Sequence, residues 1–261
     1  MSKIKDRIYN DFFRPSKETE YEKILAAAQE AGYEFHTMLS FEKVIANGVE
    51  EGKKYLVLRR DIDTADFKIL EKMLRLEIKY NARASYYFRW NTLNVQLMKR
   101  IAMCGGEASY HYEEVATYAY RHRLRSADTV KSNMESIRAL FVENLKRFRK
   151  VTGLPCVTVA SHGDYVNTKL QLQSKELMCD NIRQECGILR EAYDKEHFDL
   201  LTCRIADQVE VNNFTNKALE AIKRGEPVLE LLTHPRQWNS PVWVNLKENV
   251  TRVLKGLYMN L

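Results

Sequence analysis

The stretch Tyr55-Leu-Val-Leu-Arg-Arg-Asp-Ile-Asp63 decides the fold. It is a short apolar run that ends in charged residues, and a helical pattern follows it at once. Phe67, Leu70, Met73, Leu74 and Ile78 recur at helical spacing there, with Thr64 or Asp66 as the N-cap. Working outward, the same alternation repeats. Ala84–Phe88 reads as a strand, Leu93–Met103 as a helix stopped at Gly105-Gly106, and Glu107–His111 as a third strand. A long helical segment from about Ser126 to Val151 carries Val130, Met134, Ile137, Phe141, Leu145 and Phe148 as its apolar stripe. Cys156–Ala160 is a strand, a helix spans about Leu177–Tyr193, Asp199–Ile205 follows, and Val228–Leu232 is the last clear strand. Strand–helix–strand alternation of this kind implies parallel strands joined by crossover helices. The expected fold is α/β, a distorted (β/α) barrel of about seven parallel strands in a single domain spanning 55–261. Residues 1–54 are expected to form an N-terminal cap region of the same domain, with Glu20–Ala31 helical.

Composition agrees with a folded domain. The chain has 261 residues, 45% of them hydrophobic and 29% charged, and a formal net charge of +6. Ten Gly and five Pro are too few for a sandwich of many tight turns. No apolar run approaches the ~18 residues of a membrane span, and the basic start lacks the apolar stretch of a signal peptide, so a cytoplasmic location is expected. The small positive charge comes with no nucleic-acid-binding signature. Five scattered cysteines, none in a CxxC arrangement, read as reduced thiols rather than a disulfide framework.

Three of the six histidines, His111, His162 and His234, end three different expected strands, and Asp61 and Asp63 end a fourth. Side chains at the C-terminal ends of parallel strands converge on one face, where active sites of α/β folds are built. Imidazoles and carboxylates meeting there suit a divalent metal. The i, i+2 spacing keeps Asp61 and Asp63 on one side of the strand, so one carboxylate could ligate while the other acts as a base. Taken singly, each residue has a plainer structural reading: a hydrogen-bonded histidine at a strand end, or a helix N-cap.

At these residues the chain resembles the polysaccharide deacetylase family of carbohydrate esterases, the group that includes chitooligosaccharide deacetylases. The motifs are Leu58-Arg-Arg-Asp-Ile-Asp63, with Arg60 where a subset of the family has His, then Glu107-Ala-Ser-Tyr-His111, and Leu231-Leu-Thr-His234. The resemblance implies a metal-dependent hydrolase that removes an acetyl group from a sugar or glycan precursor, in surface-polysaccharide biosynthesis. It implies Asp61 as base, Asp63 and His111 as metal ligands and His234 as general acid. The family's second histidine, four residues after the first, is Val115 here. A replacement ligand is needed, and His162 is the best placed, with Glu114 behind it. An Asp and two His suit zinc best, with manganese, iron, cobalt or nickel also compatible. Arg60, Arg89, Trp90, Tyr165 and Trp238, at or after strand ends, are the candidate substrate-binding residues. The basic run Arg121-His-Arg-Leu-Arg125 is either a steering patch for an anionic carrier-linked sugar or a solvated loop. Two other functions stay open: hydrolysis of a cyclic ureide or imide at the same site, or an inactive sugar-binding relative.

Overall fold

The computed structural model describes residues 8–9, 12–13, 15–209 and 212–260. Its centre is an all-parallel sheet. Along the chain come α1 (Glu18–Glu30), β1 (Tyr33–His36), α2 (Met38–Asn47), β2 (Lys54–Ile62), α3 (Phe67–Lys79), β3 (Ser85–Phe88), α4 (Val95–Met103) and β4 (Glu107–Tyr112). Then follow α5 (Glu114–Arg121), α6 (Ala127–Ser132), α7 (Met134–Thr152), β5 (Thr158–Ser161), α8 (Tyr165–Leu170), α9 (Asp180–Cys186) and β6 (Arg190–Glu191). The chain closes with α10 (Lys195–Phe198), β7 (Cys203–Ala206), α11 (Phe214–Arg224), β8 (Val228–Thr233) and α12 (Val242–Asn260). The strand order is β6-β5-β4-β3-β2-β8-β7, a distorted barrel left open between β6 and β7.

β2 is the spine. Its first half pairs with β1 (Tyr33 opposite Lys54) and its second half with β3 (Arg59 opposite Ser85), while β8 runs along the other edge. Residues 33–36 are therefore woven into the sheet itself. β1 adds an eighth strand, and α2 plugs one end of the barrel with Met38, Phe41 and Val44 against Tyr55, Val57 and Val228. Alternate residues of β2 go to opposite sides. Leu56, Leu58 and Ile62 join the large core between sheet and helices, whereas Tyr55 and Val57 face the barrel interior.

Local chemistry explains the boundaries. Asp66 caps α3 by accepting from the Ile69 amide. At Gly106 a Cβ would lie 2.8 Å from Ile101 Cγ2, so only glycine lets α4 turn back this tightly into β4. The long helix expected from Ser126 is two helices, because Asn133 leaves helical geometry and its side chain donates to the Thr129 carbonyl. The helix expected over Leu177–Tyr193 shrinks to α9, and the two-residue strand β6 takes part of its place. All five cysteines are free; Cys104 is exposed and Cys156 buried. Among the described residues no helix is long and apolar enough to cross a membrane.

The barrel interior is held by charge as well as packing. Glu230 on β8 is fully buried and accepts from Arg204 Nε at 2.7 Å, with His197 Nε2 at 2.6 Å. Burial pushes its carboxyl up, but His197, Arg59 and Arg204 outweigh that and bring it down to about 2. A depressed carboxylate stabilises the fold above its unfolded pKa, and that contribution is lost as pH falls towards 2. Glu230→Ala should cost ~3 kcal/mol or more in urea unfolding at pH 7, since it leaves the buried His197 Nε2 and the Arg204 guanidinium without their carboxylate. The gap to wild type should narrow as the pH is lowered from 4 to 2.

Candidate metal and catalytic site

β2, β4, β5 and β8 bring their C-terminal ends together at the barrel mouth. Asp63 follows β2, His111 lies near the end of β4, and His162 follows directly on β5. Asp63 Oδ1 lies 3.0 Å from His162 Nδ1 and 3.3 Å from His111 Nε2, and the two ring nitrogens are 3.3 Å apart. Donor atoms each held about 2.0–2.1 Å from one ion lie roughly 3.0–3.4 Å from one another, so this triangle has the size a metal requires. Asp63 Oδ1 is also buried without a well-formed hydrogen bond. His111 Nδ1 lies 2.9 Å from the Ala160 carbonyl, and donating to it leaves the Nε2 lone pair turned to the triangle. These residues fit a divalent cation.

Electrostatics agree with those roles. Burial opposes ionisation of Asp63, yet His162, His111 and His234 hold its carboxyl well below the ordinary value. Burial and the neighbouring Arg89 push the His162 imidazole down, towards the neutral form that ligates.

Asp61 lies beside the triangle, with Oδ2 3.8 Å from His111 Nε2. Arg59 grips it with two parallel hydrogen bonds, Nε to Oδ1 at 2.9 Å and Nη2 to Oδ2 at 2.7 Å. Burial raises the Asp61 carboxyl, but Arg59, His111 and His234 prevail and keep it an anion. Arg59 is itself packed over the Tyr193 ring at 4.5 Å and fully buried, so the carboxylate is held rigidly. This tether was available from alternation alone, since residues 59 and 61 share one face of β2.

His234 follows β8, and Asp207, just beyond β7, lies 2.6 Å from its Nδ1. Asp207 also accepts from the His234 amide at 2.7 Å and from Trp238 Nε1 at 2.8 Å. Burial disfavours the charged imidazole, but Asp207, Asp63 and Asp61 overcome it and push the pKa up to about 9. Asp207 is a site residue that sequence reading missed. Its position just after a strand, like that of the histidines, was the only signal for it.

Three candidate substrate residues are placed elsewhere. Arg60 alternates to the outer face of β2, where it pairs with Glu77 of α3 at 2.5 Å and lies over the Tyr21 ring at 4.4 Å. Trp90 packs edge-on against Phe148 of α7 in the helix layer. Trp238 is 1% exposed, between Tyr21 and Phe214, and acts on the site only by fixing Asp207. None of the three can reach a sugar at the mouth. Glu114 likewise turns to the helix layer, accepting from Tyr110 and Asn144; burial raises its carboxyl to about 7. Val115 is buried in the same layer. Arg89 and Tyr165 do face the site, lining a groove of about 660 Å³ that includes His162. Arg89 pairs there with Glu113 at 2.5 Å.

No family model matches the chain, and no curated protein matches it in sequence. Among solved structures, the Streptococcus pyogenes deacetylase PplD, in complex with acetate, is similar at 14% identity and a TM-score of 0.43, over 65% of this chain and 68% of that one. The wild-type form of BA3943, described as a CE4 family pseudoenzyme from Bacillus anthracis, is similar at 12% identity and a TM-score of 0.39, over 78% of this chain and 63% of that one. A BA3943 mutant with restored enzymatic activity gives the same identity and TM-score, with 65% of its length covered. The chain thus spans just under two-thirds of the BA3943 structures.

Proposed function

We propose that this chain is a metal-dependent hydrolase that removes an acetyl group from a sugar or glycan precursor, of the kind used in surface-polysaccharide biosynthesis. One observation carries the reading. The Asp63, His111 and His162 donors form a metal-sized triangle, with a tethered carboxylate on one side and a carboxylate-held imidazole nearby. Zinc suits this donor set best. A divalent ion there supplies Lewis acidity, polarising the acetyl carbonyl and acidifying a water.

The protein's own groups handle the protons. Asp61, ionised and aligned by Arg59, accepts the water's proton. His234, whose protonated form is favoured by the Asp207 carboxylate on its Nδ1, delivers a proton to the leaving amine or alkoxide. Arg89 and Tyr165 contact the sugar from the groove. His162 takes the place left by Val115, so the ligand set is complete and an inactive relative is the poorer reading.

His234→Ala should keep the metal and lower kcat by about 10²–10⁴-fold, with a smaller loss for substrates carrying good leaving groups. Wild-type activity should fall on the alkaline side as the acid form of His234 is lost, and the Asp207 carboxylate on its Nδ1 should set that fall above the ordinary imidazole range. Metal loss in the variant would make His234 a ligand; a rise in KM alone would make it a binding residue. A substrate panel of acetylated sugars against cyclic imides tests the bond cleaved, and turnover of the imides alone would overturn the deacetylase reading.

A further inference from the structure

α12 is amphipathic in the wrong direction for a core helix. Its side facing the body carries Asn245, fully buried, and Lys255, whose Nζ lies 3.0 Å from Asp164 Oδ2. Its apolar residues face solvent. Trp243 is 81% exposed, Val253 62%, Leu254 59% and Leu257 57%, with Leu246 and Val250 exposed beside them. At about 100° per residue these six side chains fill a continuous arc of roughly 100° that contains no polar residue.

Cations border one edge of that arc. Lys247 lies on it, and so does Tyr258, whose hydroxyl accepts from Arg123 Nε at 2.8 Å while the Arg123 guanidinium lies 4.7 Å from the Tyr258 ring centre. This contact brings the exposed run Arg121, Arg123 and Arg125 alongside the C-terminal half of the helix. The body side of α12, through Asn249 and Lys255, lines the groove that holds His162 and Tyr165. An apolar stripe, a basic margin and the candidate site therefore share one end of the molecule.

We propose that α12 and the Arg121–Arg125 segment form a docking surface for an anionic lipid bilayer. The apolar arc enters the headgroup boundary and the basic margin meets lipid phosphates, which brings the barrel mouth next to the membrane. Charge favours this occupant over a second copy of the chain. Self-pairing along the arc would bring the basic margins together with no exposed acidic margin to meet them, and the arc is broader than the two-position seam of a coiled coil. The reading holds whether or not the site is hydrolytic.

The test is co-sedimentation of the full chain with vesicles of phosphatidylcholine alone or mixed with phosphatidylglycerol, alongside tryptophan emission. Wild type should bind the mixed vesicles with a blue shift from Trp243, and bind neutral ones far more weakly. Leu254→Glu with Leu257→Glu should abolish binding and leave the circular dichroism spectrum unchanged, because both side chains are exposed before docking. Neutralising Arg121, Arg123 and Arg125 to Gln should weaken binding about 100-fold, at ~1 kcal/mol per charge. Absence of wild-type binding to anionic vesicles overturns the proposal. So does a lipid-free dimer in sedimentation velocity that the double Glu variant dissolves, since the second copy would then be the occupant.

Discussion

Asp61→Asn should keep the metal and lower turnover by about 10²–10⁴-fold or more. The amide fills the same space and its oxygen can still accept one of the two Arg59 hydrogen bonds, but it has no lone pair basic enough to take a proton from water at neutral pH. The structure sharpens this expectation, because Asp61 receives two hydrogen bonds from a fully buried guanidinium and lies 3.8 Å from His111 Nε2. Arg59→Lys should then act through orientation, lowering kcat with little change in KM, since a point charge cannot reproduce the two-pronged grip. Near wild-type turnover in Asp61→Asn would move the base to another group, with Asp63 the next candidate.

The second large effect is in metal content. Protein purified without chelator should carry about one divalent ion per chain, and the His111→Ala/His162→Ala double variant should carry none. Elemental analysis reads this directly and needs no substrate. Binding should also raise the melting temperature of wild type and leave the double variant unmoved, because a ligand stabilises only the state that binds it. Three converging lone-pair donors with a poorly satisfied buried Asp63 Oδ1 are the physical reason. A metal-free wild type, or full occupancy in the double variant, would remove the site from the account.

Much of this was legible in the residue order. The strands were read from apolar runs followed by helical spacing, and the histidines and aspartates from their places at the ends of those runs. Parallel topology then forces such ends together, so Asp61, Asp63, His111, His162 and His234 could be grouped without coordinates. Alternation within β2 also sets which neighbours share a face. Once Asp61 faces the mouth, Arg59 must share its side and Arg60 must lie on the other. The fully buried pattern of β2 hid this parity, because both faces of a strand covered on two sides are equally apolar.

Other features depended on contacts between residues far apart in the chain. Asp207 meets His234 and Trp238 only because β7 lies beside β8, and no local spacing encodes that pairing. β1 joins the barrel because β2 is long enough to pair with two strands along one edge, which its own four residues do not reveal. In α12 the apolar residues Trp243, Val253, Leu254 and Leu257 are turned outward, a choice that packing against the body makes. The chain's own residues thus determined the strand–helix alternation, the strand ends and the chemistry placed on them, since periodicity and turn chemistry act locally. Which face each side chain takes, and which distant carboxylate holds which base, was decided by tertiary packing, because those choices depend on neighbours that only the assembled sheet supplies.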